Sequence, residues 1–175
     1  MQIRCDAVLA FPRPLVWTTY RDRLVDLVPY LPNIRGIEVK ERDETPDGIH
    51  FVNVWHGGGD LPAVARSFLS ESMMSWTDIA TWRENAFETD WRVEPHTFRD
   101  AVRSAGTNRY MELDGKTRLE IRGELEIDAS KVKGVPKLLA GKVSRAIEEF
   151  MVKAVSKNLL DVSRGVERFL RDSSS

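Results

Sequence analysis

From Leu139 through Val143, Ile147, Phe150, Met151, Ala154, Val155, Leu159, Val162 and Val166 to Phe169, apolar residues recur in steps of mostly three and four. That spacing gathers them on one broad stripe of a helix. Lys142, Glu148, Glu149, Lys153, Lys157, Asp161, Arg164 and Arg168 take the opposite side. The pattern predicts a single helix over 136–171, with Pro136 in a first turn where its missing N–H costs nothing. A rod of about 35 residues spans roughly 50 Å at ~1.5 Å per residue and is not held by propensity alone, so its stripe must rest on something wide.

The preceding chain supplies that surface, because most of it has a period of two. Ile3, Cys5, Ala7 and Leu9 alternate with polar neighbours over 2–10, which reads as a strand with one buried face. Pro12 and Pro14 end it. Leu15, Val16, Thr19, Tyr20, Leu24, Leu27 and Val28 then have helical spacing, closed by Pro29 and Pro32, and predict two short helices, or one bent one, over 13–30. Alternation returns at Ile37 and Val39. Thr45-Pro46-Asp47-Gly48 is a turn, and 49–56 is the returning strand of a hairpin. The glycines from Gly57 to Gly59 break the pattern, and 57–72 reads as a loop or lid. Four more strands follow over 73–83, 87–94, 101–113 and 117–128, with turns at Glu84-Asn85 and Asp114-Gly115. Gly123 falls on the inner face of the last strand, where a missing side chain allows a bend or a close approach. The order is strand, two short helices, six strands, long helix. It implies an antiparallel meander wetted on one face, an α+β fold with seven strands curved around the terminal helix. The length suits one domain over 1–172 with a frayed tail at 173–175.

This order resembles the helix-grip fold of the START-like or SRPBCC superfamily, which includes the birch pollen allergen relatives, lipid-transfer START domains and bacterial polyketide cyclases. The resemblance covers nearly the whole chain. It is carried by the opening strand running into Phe11-Pro12-Arg13-Pro14-Leu15-Val16-Trp17, by the helical pair ending at Leu31-Pro32-Asn33-Ile34, by the hairpin from Ile37 to Trp55, and by the closing strand from Thr117 to Asp128 that enters the long helix. It implies a container, with a hydrophobic ligand held between sheet and helix. It leaves function open.

Composition narrows the setting. The single Cys5 cannot form an internal bridge and reads as a buried thiol, no apolar run at the start resembles a signal peptide, and none approaches the ~20 residues of a membrane span. The expectation is a cytoplasmic soluble protein. Residues 130–172 hold ten lysines and arginines against five acids, so the basic helix face also fits transient contact with an anionic membrane surface. No basic cluster interleaved with aromatics points to nucleic acid. His50 and His56 share strand parity but lie about 20 Å apart at ~3.3 Å per residue, so they cannot serve one ion; neither metal nor cofactor is expected. His56-Gly57-Gly58-Gly59 looks like an esterase oxyanion motif, but the chain has no G-x-S-x-G turn to accompany it. A glycine run can also bind an anion through its backbone N–H groups.

The tryptophans carry the candidate site. Trp76, Asp78 and Trp82 share one strand face, Phe51, Asn53 and Trp55 share another, and Thr89 aligns with Trp91. Aromatic walls with a few polar groups suit a small-molecule pocket, and Asn53, Asp78 and Thr89 would be unusual in a dry core. Tyr110 on the sheet, and Phe150, Met151, Ala154 and Asn158 on the helix, complete the expected ligand-binding set. A carboxyl at Asp78 among tryptophans would have a raised pKa. The leading expectation is a non-enzymatic carrier of a hydrophobic small molecule or lipid, entered past the loop 57–72 and the start of the long helix. A second is a polyketide cyclase-like enzyme with Asp78 as acid or base and Arg109 or Tyr110 stabilising an enolate. A third is a protein-interaction module marked by an exposed apolar patch. The sequence does not set the oligomeric state.

Overall fold

The computed structural model of the chain describes residues 1–58, 74–131, 138 and 140–173; within the last stretch the side chains of Ala140, Val143, Ala146, Ile147, Phe150, Met151, Ala154 and Asn158 are outside the described set. Strand β1 (Gln2–Leu9) leads into helix α1 (Arg13–Asp22) and a 3₁₀ segment, Val25–Tyr30. Then come β2 (Ile34–Thr45), β3 (Gly48–Gly57), β4 (Ser75–Arg83), β5 (Glu88–Pro95), β6 (Val102–Leu113) and β7 (Lys116–Ile127). Helix α2 (Ala140–Ser173) closes the chain. The strands form one antiparallel sheet in the order β1-β7-β6-β5-β4-β3-β2, so only β1 leaves its sequence neighbours, crossing to pair with β7.

Local chemistry explains most of the boundaries. Pro14 stands at the first turn of α1, and the Asp114-Gly115 pair takes positive φ at both positions, as a tight hairpin of twisted strands requires. The β2–β3 register shifts between Val39 and Glu41, where one extra residue bends the edge strand. Four expectations need correction. Phe87 belongs to the turn rather than to β5: it has φ 51°, held there because its ring packs on Trp17 and under the Arg13 guanidinium. Strand β4 begins at Ser75, not at 73. Leu15 is 42% exposed, while Trp17, absent from the expected helical face, is 1% exposed. The terminal helix continues through Asp172 and Ser173, tied by the Tyr30 hydroxyl donating to Asp172 and the Ser173 hydroxyl donating to the Phe169 carbonyl.

Helix α2 lies along one side of the sheet. Among the described residues, its main close approaches are to β1, β7, the 3₁₀ segment Val25–Tyr30 and a second short 3₁₀ turn, Ala129–Lys131. Val162, Val166, Phe169 and Leu170 are buried there, and Gly165 lets the helix meet Leu31 and the Tyr30 carbonyl. The sheet beneath is sealed: Thr117, Leu119, Ile121, Leu125 and Ile127 on β7, and Ile3, Cys5 and Leu9 on β1, are all buried. Gly106 and Gly123 pair across β6 and β7, and the Trp91 indole lies against both. A Cβ at Gly106 would stand 2.3 Å from the Arg122 carbonyl oxygen and 2.5 Å from the Trp91 ring. Gly106→Ala therefore destabilises the fold by about 1–3 kcal/mol, as overpacking does; urea denaturation at constant pH checks this, and an unchanged midpoint contradicts it.

Candidate functional site

Strand register brings the sequence-predicted residues onto one concave face. Asn53 stands opposite Asp78, and Asp78 opposite Val93. Trp55 stands opposite Trp76, and their indoles stack at 5.8 Å with planes 13° apart. Phe51 faces Ala80, which faces Trp91; Trp82 faces Thr89, which faces Asn108. Tyr110 follows one step along the inner face of β6. At the far end α1 packs in: Trp17 meets Trp82 at 4.9 Å, Phe87 at 5.4 Å and Tyr110 at 5.0 Å, each edge to face. Tyr20 reaches across to α2, its hydroxyl donating to Ser163 Oγ at 3.0 Å.

Two features separate this middle region from the sealed floor beside α2. Trp76, Asp78, Trp91, Val93, Ser104 and Asn108 point inward on β4, β5 and β6, yet each is only partly buried. Second, the inward polar atoms Trp17 Nε1 and Asn53 Oδ1 are buried with no hydrogen-bond partner, and Trp55 Nε1, Thr89 Oγ1 and Tyr110 OH have only loose ones: Trp55 Nε1 reaches toward Asp78, and the Tyr110 hydroxyl toward Asn108 and Thr89. Each unpartnered group carries a penalty of about 1–3 kcal/mol, so native folds give nearly all of them a partner in protein, water or ligand.

No protein-family model and no curated protein matches the chain. Solved structures do. The Zhui aromatase/cyclase from Streptomyces sp. R1128 superposes with a TM-score of 0.70 at 16% identity, over 100% of this chain and 96% of that one. TTHA0849 from Thermus thermophilus gives 0.65 at 17% identity, over 95% and 97%. The major latex-like protein 151 of Panax ginseng gives 0.61 at 14% identity, over 97% and 96%. This is the START-like, or SRPBCC, helix-grip fold. At these identities the likeness carries the fold alone.

Within the START-like frame, the concave face gathers Phe51, Asn53, Trp55, Trp76, Asp78, Trp82, Thr89, Trp91 and Tyr110. Phe150, Met151, Ala154 and Asn158 belong to α2, but their side chains lie outside the described residues, as do residues 59–72 of the expected loop. Of the two enolate-stabilising alternatives, Arg109 is excluded: it is on the convex face, paired with Glu88 at 2.8 Å, because its parity is opposite to that of Tyr110. The anion-binding reading of the glycine run loses two of its donors, since the Gly57 N–H bonds the Met74 carbonyl at 2.7 Å and the Gly58 N–H the Asn33 carbonyl at 2.9 Å. The histidines are separately engaged: His50 with Thr81, His56 with Glu38 and Ser75, His96 with Thr77. Sequence reasoning missed Ser104 and Asn108, although both share the parity of Tyr110 along β6.

Desolvation pushes the Asp78 carboxyl up to about 6, against the opposing pull of Asn53 and Trp55. The Asn53 amide donates to Asp78 Oδ2 over 3.5 Å, too long to cancel the loss of water. Burial raises the Tyr110 hydroxyl well above its ordinary value, so it stays protonated. Because the folded-state value for Asp78 lies above the unfolded 3.8, its contribution to stability is fully present below 3.8 and is lost as pH rises through about 6. Asp78→Asn carries no charge to desolvate. Its stability relative to the parent therefore rises between about pH 4 and about pH 7, by up to about 2–3 kcal/mol. Chemical denaturation at both pH values checks this; a pH-independent difference contradicts it.

Proposed function

We propose that this protein binds a hydrophobic small molecule between the concave face of β3–β6 and the first half of α2. The observation that carries the reading is the set of inward side chains left only partly buried, Trp76, Asp78, Trp91, Ser104 and Asn108, which mixes polar groups with aromatic rings on a face that is not sealed. A ligand supplies what the fold lacks there. Its apolar body lies on the Trp55–Trp76 stack and against Phe51, Trp82 and Trp91, and a polar group meets Asn53 and Asp78. By helical spacing alone, Phe150, Met151, Ala154 and Asn158 are assigned the opposite wall. Native mass spectrometry of the protein as purified, with solvent extraction, tests this. The expected result is a bound apolar mass released by solvent. A protein that is ligand-free and does not bind 1-anilinonaphthalene-8-sulfonate overturns it.

One observation favours a second reading, an enzyme that uses the same cavity in the manner of a polyketide aromatase/cyclase. Burial pushes the Asp78 carboxyl up to about 6, and it faces the same interior as the protonated Tyr110 hydroxyl. Asp78 would move the proton and Tyr110 would hold the developing enolate oxygen. On this reading Asp78→Asn abolishes turnover of a poly-β-ketone substrate and leaves its binding intact; turnover kinetics beside calorimetric affinity decide, and unchanged turnover removes Asp78 from the chemistry.

A further inference from the structure

We propose that the inward carboxylate of Asp78, beside the stacked indoles of Trp55 and Trp76, is a cation subsite, and that the hydrophobic molecule held on the concave face carries a protonated or quaternary amine. This deepens the binding reading above and rests on it.

The charge on this face is one-sided. No lysine or arginine stands at an inward position of β3, β4, β5 or β6. Two acids do. Glu112 is at the exposed β6–β7 turn, where it accepts the Gly115 N–H. Asp78 is in the middle of the sheet. Its nearest inward neighbours are neutral: Asn53 on β3 and Val93 on β5. His50 and His56 on β3, and Asp90, Arg92 and Glu94 on β5, have the opposite parity and face the convex side. Arg42 on β2 is beside Phe51 and is ion-paired with Asp22. On α2, Lys153 and Lys157 are exposed. Among the described residues, then, no cation answers this carboxylate.

The carboxylate has room for one. It accepts from the Asn53 amide over 3.5 Å and from the Trp55 indole N–H, whereas a carboxylate takes about four donors. Desolvation outweighs those two and raises its pKa to about 6, yet Asp78, Trp76 and Val93 all keep accessible surface. Two positions along the same face, Trp55 pairs with Trp76 and their rings stack 5.8 Å apart. An indole face attracts a cation within about 6 Å of its centre. Carboxylate and indole together give a cation both a charge and an apolar, polarisable wall. A fatty acid headgroup would meet like charge instead.

Intrinsic tryptophan fluorescence titrations with benzyltrimethylammonium and neopentylbenzene test the subsite, since the two differ only by nitrogen for carbon. At pH 8 the cation is expected to bind at least about tenfold tighter. It has no proton to lose, so its affinity is expected to rise about five- to tenfold from pH 5 to pH 8 as Asp78 ionises, while that of neopentylbenzene stays level. Asp78→Asn is expected to remove both the preference and the pH dependence. Equal binding of the two, a preference that does not change with pH, or one that survives Asp78→Asn overturns the subsite and leaves ligand binding in place. Should neither bind while 1-anilinonaphthalene-8-sulfonate does, the subsite alone is overturned; should none of the three bind, the underlying reading falls with it. Thermal unfolding verifies that the variant folds. If it does not, the pH profile of the unaltered protein decides alone.

Discussion

A seven-stranded antiparallel sheet has more inward surface than one helix can cover. At about 4.8 Å between strands the sheet is roughly 30 Å wide, whereas a helix with its side chains is about 10–12 Å across. Among the described residues, helix α2 buries Val162, Val166, Phe169 and Leu170, and its main close approaches include β1, β7 and the 3₁₀ segment Val25–Tyr30. Helix α1 fills one end with Trp17 and Tyr20. The inner faces of β3, β4, β5 and β6 are the surface to which the proposed function assigns a ligand.

The side chains follow the same division. Where helix meets sheet, the inward residues of β7 are Thr117, Leu119, Ile121, Gly123, Leu125 and Ile127, small or apolar and buried. Across β3, β4, β5 and β6 the inward polar residues are Asn53, Asp78, Thr89, Ser104, Asn108 and Tyr110, interleaved with tryptophans. A dry, close-packed core would place aliphatic residues at those six positions, because an unpaired buried polar group is more costly than the hydrophobe it displaces. Trp91 marks the border: its ring lies across the Gly106–Gly123 trough while its N–H is satisfied by Asn108. The polar middle is thus walled and supported on both sides, a requirement for a site that must hold its geometry before anything enters it.

Much of the fold was legible in the sequence, because period two and period 3.6 alternate cleanly and the turns carry their own chemistry. Asp114-Gly115 and Thr45-Pro46-Asp47-Gly48 marked their hairpins, and the parity of Phe51, Asn53, Trp55 and of Trp76, Asp78, Trp82 put them on one face once pairing was known. What parity could not supply was depth. Trp17 reads as one aromatic residue among several in an amphipathic helix; only its contacts with Trp82, Phe87 and Tyr110 show it as the plug at the blind end. Phe87 defeated the strand pattern because a bulky residue at positive φ is held by tertiary packing, which no local propensity encodes. Arg109 and Tyr110 were inseparable without a register, since a slip of one residue exchanges inside for outside.

The proposed function requires open volume between the concave face and the first half of α2. A high-resolution crystal structure of the purified protein measures it directly. The account predicts a continuous void bordered by Asn53, Trp55, Asp78, Thr89 and Tyr110, holding ligand density or ordered water within hydrogen-bond reach of their polar atoms. Side chains of α2 interdigitated with β3, β4 and β5, with those atoms paired to protein and no void larger than a few waters, would contradict it.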